Sequence, residues 1–434
     1  MSRDKAVNSP WTYALGMLAI MIPSHAFSTF YSFYYVDKLG LGLGLATLAR
    51  TIFMIWDAVN QPMAGYLSDR TNTRYGRRKP WLYFSIPLYV LAFYLVFAAP
   101  DGMSQLSLFT WFLIALLLFE AIATILWVNY GALFPELFRG GRLRKKASAI
   151  QQGYQIVAIL IGSAVAPILF DSLGFGPMAL VFGLLFALSM LAFLRFTKED
   201  PAFRDAPRMG LVESFGATLK NKPFWLFNLS NSFAQTVNGL LSSMIPFYAK
   251  YVLGIPQSQV TLLLASIFVS VIPLVGVWFW LIKRMDSVKA WRISLLAYAV
   301  SVIPLWFGST LAGGITAGVI VGFGLAGFLV TPPIVSGLII DLDYKETGRR
   351  REGVYTAVSG FITRSSGLIS ALAFLIVGMA TGYKSGAEPG ADPELTFRVL
   401  ISVVPFVLLA LSYVLSFFVK LEDQKEPGEA GGAV

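Results

Sequence analysis

The segment IWDAVNQPMAGYLSDRTNTRYGRRKPWL, residues 55–82, sets an acid, Asp57, deep in apolar sequence ahead of five basic residues, Arg70, Arg74, Arg77, Arg78 and Lys79. A carboxylate at the centre of a membrane helix costs about 2.5–3.5 kcal/mol on insertion scales, which is tolerated where the charge faces a cavity and holds something. Oxygen ligands gathered around such a group suit a hard cation such as Na⁺, whereas a lone desolvated carboxylate suits H⁺. A second acid in apolar sequence, Glu120, offers another negative charge, and Thr124 one turn later shares its helical face. Arg50 and Arg364 lie in equally apolar surroundings, so the competing reading is that Asp57 or Glu120 pairs with one of them and only fastens helices together. Arg364 also carries a planar fork suited to a carboxylate or phosphate. His25, the single histidine, could relay protons or serve as a hydrogen-bonded packing residue.

The elements that position these groups follow from composition. With 56% hydrophobic and 13% charged residues and a mean hydropathy of +0.67, the chain lies far from soluble domains, of which roughly a quarter is charged. Apolar runs of about 20 residues, the length that crosses a bilayer core, follow one another. Twelve are expected, near 11–36, 42–67, 81–99, 105–134, 148–170, 177–197, 223–250, 258–282, 291–309, 313–340, 353–381 and 395–420. Their uniform apolarity predicts helices, since barrel strands would alternate with a period of two. Arg3 and Lys5 resemble the basic start of a signal peptide, but the run that follows is too long and lacks a clear cleavage site, so it reads as a retained helix.

A formal net charge of +10 could suggest nucleic acid, but its placement points to topology. With twelve spans, 28 of the 34 Lys and Arg fall on the face that holds both termini; Lys38, Lys250, Lys384 and Arg398 take the other face, and Arg50 and Arg364 lie within spans. The positive-inside rule then puts both termini in the cytoplasm of a multi-pass protein of the cell (inner) membrane, with no nucleic-acid partner. No cysteine is present for a disulfide or thiolate site, and one histidine cannot build a metal cluster.

The longest polar interruption, Thr197 to Pro223, has six runs before it and six after. The chain divides into 1–197, a linker at 198–222, a second half at 223–421 and an acidic, glycine-rich tail at 422–434 that reads as disordered. PELFRGGRLRKKAS from Pro135 and IDLDYKETGRRREG from Ile340 supply matching loops. Glu136 aligns with Asp341, and Arg144, Lys145 and Lys146 with Arg349, Arg350 and Arg351. Six-helix halves repeated in parallel are the architecture of major facilitator transporters, with the substrate site between them. Gly65, Asp69, Arg70, Gly76, Arg77, Arg78 and Lys79 resemble the loop between the second and third helices of that superfamily. As a latch, Gly65 allows close packing and Asp69 pairs with a basic group or helix end of the other half in one conformation only. Arg74, Arg77 and Lys79 individually read as solvated loop charges.

Three segments carry a narrower resemblance: YYVDKLGLG from Tyr34, the stretch from Ile55 to Trp81, and IIDLDYKETGRRREGVY from Ile339, supported by ALFPEL from Ala132. Together they are similar to the glycoside-pentoside-hexuronide:cation symporter family, which includes the melibiose permease. The resemblance implies an all-α membrane protein with the major facilitator fold, two six-helix bundles related by pseudo-two-fold symmetry, and cation-coupled symport by alternating access. It implies a coupling site at Asp57, Asn60 and Thr124, with Gln61 where the family has a second acid and Glu120 as a replacement charge. The positions aligning with the permease's two sugar-holding acids are Met21 and Trp127, both apolar, so a galactoside does not fit. Tyr31, Trp127, Tyr130 and Trp225 retain aromatic faces, and Arg364 aligns with a functional lysine. An anionic glycoside fits this set, as does a lysophospholipid, the cargo of relatives with the same loops and a greasier cavity. An uncoupled facilitator or efflux protein is a further alternative.

GFGLAG from Gly322 matches a dinucleotide-binding pattern, but no strand precedes it, and it reads as a packing surface. Gly314, Gly318 and Gly322 should let the tenth helix approach a neighbour closely, with Pro332 and Pro333 breaking or kinking it. Nothing matches a P-loop, and no nucleophile or metal set indicates an enzyme. The expected ligands are a small-molecule substrate, the lipid bilayer and Na⁺ or H⁺; no cofactor is implied, and the chain is expected to act as a monomer.

Overall fold

Within hydrocarbon, every backbone N–H and C=O must be paired inside its own segment, so long apolar runs become helices. The computed structural model describes residues 8–71, 73, 76–138, 141–199, 221–282, 284–347, 352–386 and 388–419; at Gln61, Gly65, Asp69, Glu136, Arg144, Lys145 and Asp341 it describes the backbone alone. The expected roles of those seven side chains, and of Arg349, Arg350 and Arg351, therefore lie outside the described residues. The described chain is helical: α1 (Pro10–Lys38), α2 (Leu43–Arg70), α3 (Lys79–Phe97), α4 (Gln105–Leu137), α5 (Lys146–Leu173) and α6 (Phe175–Phe196), then α7 (Lys222–Tyr251), α8 (Gln257–Ile282), α9 (Ser287–Phe307), α10 (Leu311–Thr347), α11 (Glu352–Thr363, resuming as Ser365–Thr381) and α12 (Pro393–Ser416). Among the described residues, ten of these are long and apolar enough to cross a membrane, and α2 and α7 are not among the ten. Both are diluted by polar residues, Arg50, Asp57 and Asn60 in α2 and Asn228, Asn231 and Asn238 in α7.

Packing repeats between the halves. α1 packs on α5 and α6, α3 on α4 and α6, and α2 on α4; six helices later α7 packs on α11 and α12, α9 on α10 and α12, and α8 on α10. The halves meet through α1 with α7, α2 with α11, and α5 with α8. Away from the Arg70–Lys79 turn this junction is sealed by an apolar cluster that includes Phe33, Val36, Met244, Phe247, Phe374 and Phe397. Lys250 Nζ donates to both carboxylate oxygens of the buried Asp37 at 2.7 and 3.0 Å, and Tyr251 donates to the same carboxylate.

The glycines of α10 act as expected. A Cβ at Gly314 would stand 2.8 Å from Leu263 Cδ2, and one at Gly322 3.0 Å from the Ile267 carbonyl, both on α8; one at Gly327 would meet Trp278 and Ser294. Of the break or kink expected at Pro332 and Pro333, the break is absent, since α10 runs unbroken from Leu311 to Thr347. Thr331, just before the prolines, bonds Gly327 O at 3.0 Å and Ser294 Oγ at 2.8 Å, which ties the helix to α9 where the prolines remove backbone donors.

The α2–α3 turn differs from its expected solvated state, because Arg77 and Arg78 are buried. Glu199, beyond α6, turns its carboxylate onto the start of α3 and accepts from the backbone N–H of Arg77 (2.7 Å), Arg78 (3.0 Å) and Lys79 (2.6 Å). These donors are the orphan groups of a helix N-terminus, where a negative charge is favoured. Gly76, at φ +111°, makes room, since a Cβ there would lie 2.6 Å from Glu199 Cδ. Arg78 Nη1 donates to Ser68 Oγ at 2.6 Å and Lys79 Nζ to Thr197 O at 2.8 Å, so these contacts stay within the first half. Replacing Glu199 with Ala should destabilise the protein by about 1–3 kcal/mol, the range for stranding buried donors. Glu199→Gln, which keeps one acceptor oxygen, should fall between. Thermal unfolding in detergent measures this, and equal midpoints for all three would show that water replaces the clamp.

Candidate functional site

α2 and α11 bring the two central charges together. Arg364 lies between the two stretches of α11 with its backbone still helical, at φ −67° and ψ −25°, and its Nε lies 3.1 Å from Asp57 Oδ2 across the junction. The hydroxyl of the next residue, Ser365, bonds Ile362 O at 2.8 Å and Ser232 Oγ of α7 at 3.0 Å. The Asp57 side chain is 10% exposed and that of Arg364 31%, so the carboxylate is the more desolvated partner. On the other side of Asp57, Asn60 Nδ2 donates to the Glu120 backbone carbonyl at 3.4 Å, joining α2 to α4 one turn before Thr124. Asn60 and Thr124 are both buried, and the Thr124 hydroxyl has no hydrogen-bond partner among the described residues.

Beside these groups lies a cavity of about 280 Å³, walled by both halves. α1 contributes Ser24, Phe27, Ser28 and Tyr31; α2, Arg50; α4, Phe119, Glu120, Ala123 and Trp127; α7, Gly239 and Ser243; and α11, Ser366, Gly367 and Ser370. Ser24, Ser28 and Ser243 donate their hydroxyl hydrogens to Ile20 O, His25 O and Gly239 O in their own helices, so toward the cavity they act as acceptors. A second cavity of about 140 Å³ shares Ser28 and Gly239 with the first and is otherwise mostly apolar, with Ile156, Ile159, Phe268, Val271, Leu325 and Leu329.

Of the residues expected at a substrate site, Tyr31 and Trp127 line the larger cavity and His25 the smaller. Tyr130 belongs instead to the core of the first half. Fully buried, it stacks on Tyr13 at 4.5 Å, and the two exchange hydroxyl-to-carbonyl bonds of 3.1 and 2.9 Å. Its aromatic character marked it from sequence, but the stacking partner 117 positions away claims it. Met21 is half-buried against the core, and Arg364 is engaged by Asp57. Arg70, expected in the gate, is exposed at the end of α2. Arg50, read from sequence only as a pairing partner, enters the cavity wall with its guanidinium carbon 5.1 Å from the Tyr31 ring centre and 4.8 Å from that of Phe53.

Repeated helix pairings around a cavity walled by both halves have the architecture of a membrane transporter of the major facilitator type. The chain belongs to the MFS/sugar transport protein family, which matches residues 12–423. It is 24% identical to the sodium-dependent lysophosphatidylcholine symporter 1 of Gallus gallus, over 98% of this chain and 88% of that protein. It is 26% identical to the isoprimeverose transporter of Lactiplantibacillus pentosus, over 96% of this chain and 90% of that one. Among solved structures, a bacterial homologue of the human lysosomal transporter Spinster, in an inward-facing and unoccupied conformation, shares the fold with a TM-score of 0.65 at 14% identity, covering 96% of this chain and 98% of that one.

The geometry makes the Asp57–Arg364 pair asymmetric. Arg364→Gln strands a buried carboxylate and should lower stability by up to about 3 kcal/mol. Asp57→Asn leaves a guanidinium that water can reach and should cost less. The double variant should melt above the Arg364→Gln single. A double-mutant cycle of thermal midpoints tests this, and additive effects would mean that the two charges do not interact energetically.

Proposed function

We propose that the protein is a secondary active symporter that uses a cation gradient to move a small solute by alternating access. The observation that carries the reading is the ion pair joining Asp57 of the first half to Arg364 of the second at 3.1 Å. A cation competing for Asp57 displaces Arg364, and so reports its binding directly at the α2–α11 junction. Asp57, Asn60 and Thr124 supply the oxygen ligands, and Glu120 the second negative charge. This donor set, together with the sodium-dependent relative, favours Na⁺ over H⁺. With α2 and α7 crossing as well, the chain spans the membrane twelve times as two symmetry-related bundles, with both termini in the cytoplasm. The seal around Asp37 and Lys250 is then on the outer side, and the cavity belongs to an inward-facing state. The basic loops at Arg70–Lys79, Glu136–Lys146 and Asp341–Arg351 form the inner mouth and its gate.

For the substrate, the hydroxyl acceptors and the rings of Tyr31, Phe27 and Trp127 favour a glycoside-like solute. The apolar side cavity opening at Ser28 and Gly239 supports a second reading, an amphipath whose tail fills that space. Uptake into proteoliposomes under an imposed Na⁺ or H⁺ gradient, with labelled glycosides, uronides and lysolipids, separates these readings. Asp57→Asn should insert and fold, lose concentrative uptake and retain exchange. Full accumulation by that variant would sink the coupling role.

A further inference from the structure

Arg50 is the one cation of the larger cavity's described wall, and its surroundings are unusual for a guanidinium. Its five N–H donors have no hydrogen-bond acceptor among the described residues, and Nε is buried without a partner. The side chain is held by the faces of Tyr31 and Phe53, which stabilise the positive charge and leave the donor edge unused. Arg364, the other intramembrane cation, is engaged by Asp57. Access for the Arg50 fork is provided from the opposite half by Gly367, where an added Cβ would stand 2.7 Å from Arg50 Nη2. Arg50 also lines a narrow space that runs from the cavity toward Phe112, Met244 and Phe374 at the sealed end, so it sits at the inner limit of the cavity, where a solute entering from the other side stops.

We infer that Arg50 is the anion-recognition residue of the substrate site, clamped by Tyr31 and Phe53, with Gly367 as its positioning residue, and that the transported solute carries a carboxylate or phosphate. A planar fork with its donors unspent matches a two-oxygen anion, and desolvation strengthens the contact. Glu120, on the same wall, would repel an anion when charged, and the proposed coupling cation offsets that charge. The inference rests on the transport reading for the identity of the cavity but is tested by binding alone.

The test is calorimetric titration of the purified full-length protein in detergent with phenyl β-glucuronide, phenyl phosphate and the uncharged phenyl β-glucoside. The native protein should bind one of the two anions more tightly than the glucoside, and which one distinguishes carboxylate from phosphate. Arg50→Gln should weaken that anion about 10- to 100-fold, the loss typical of a charge-assisted hydrogen bond, and weaken the glucoside far less, so that the preference for the anion is lost. Gly367→Ala keeps every charge but displaces the guanidinium, and should weaken the anion several-fold; it decides the matter if Arg50→Gln fails to fold. A native protein that binds neither anion or prefers the glucoside, or variants that bind the anion as the native protein does, would overturn the inference. Failure of the coupling reading would appear separately, as concentrative uptake by Asp57→Asn with the Arg50-dependent preference intact.

Discussion

A carboxylate and a guanidinium 3.1 Å apart, in sequence otherwise fit for hydrocarbon, constrain everything near them. Either charge alone would be costly in that medium, and each is carried by a different half of the chain. The helices bearing them must therefore meet, which fixes α2 against α11 and sets the level of Asn60 against α4. Beside Arg364, the hydroxyls of Ser365 and Ser232 tie α11 to α7. A pair in such surroundings is a poor source of net stability, because desolvation offsets most of its attraction.

α2 and α7 fall short in apolarity because each turns polar side chains toward the cavity or the other half, Arg50 and Asp57 on α2 and Ser243 on α7. The remaining helices keep those groups to a minimum and pack through small residues, as α10 does with Gly314 and Gly322 against α8. The first half has a different interior, with aromatic stacking around Tyr13, Tyr130 and Phe193. Each half thus has a packed interior of its own.

Much of this was legible from sequence for identifiable reasons. Segment length against bilayer thickness placed the helices, and buried acids in apolar runs pointed to Asp57 and Glu120. What escaped depended on contacts between distant positions. Nothing near Glu199 in the chain announces that it caps α3, 120 residues earlier. Tyr130 had the composition of a ligand-stacking residue and the location of a core one. Pro332 and Pro333 suggest a break or a kink, and of these the break does not occur. Arg50 was visible only as a charge in need of a partner. That aromatic faces hold it, with no acceptor among the described residues, required three dimensions.

The connector between the halves is fastened at each end before it begins. On one side Glu199 grips the α3 terminus, while Asn8 and Lys198 exchange bonds of 2.8 and 3.0 Å. On the other, Asn221 caps α7 through Phe224 N–H at 3.0 Å and reaches Tyr355 at the same distance. Each anchor holds the chain to its own half. The described contacts between the halves run along α1 with α7, α2 with α11 and α5 with α8, and an enlarged side chain along those seams should alter how the halves meet more than any change beyond the anchors.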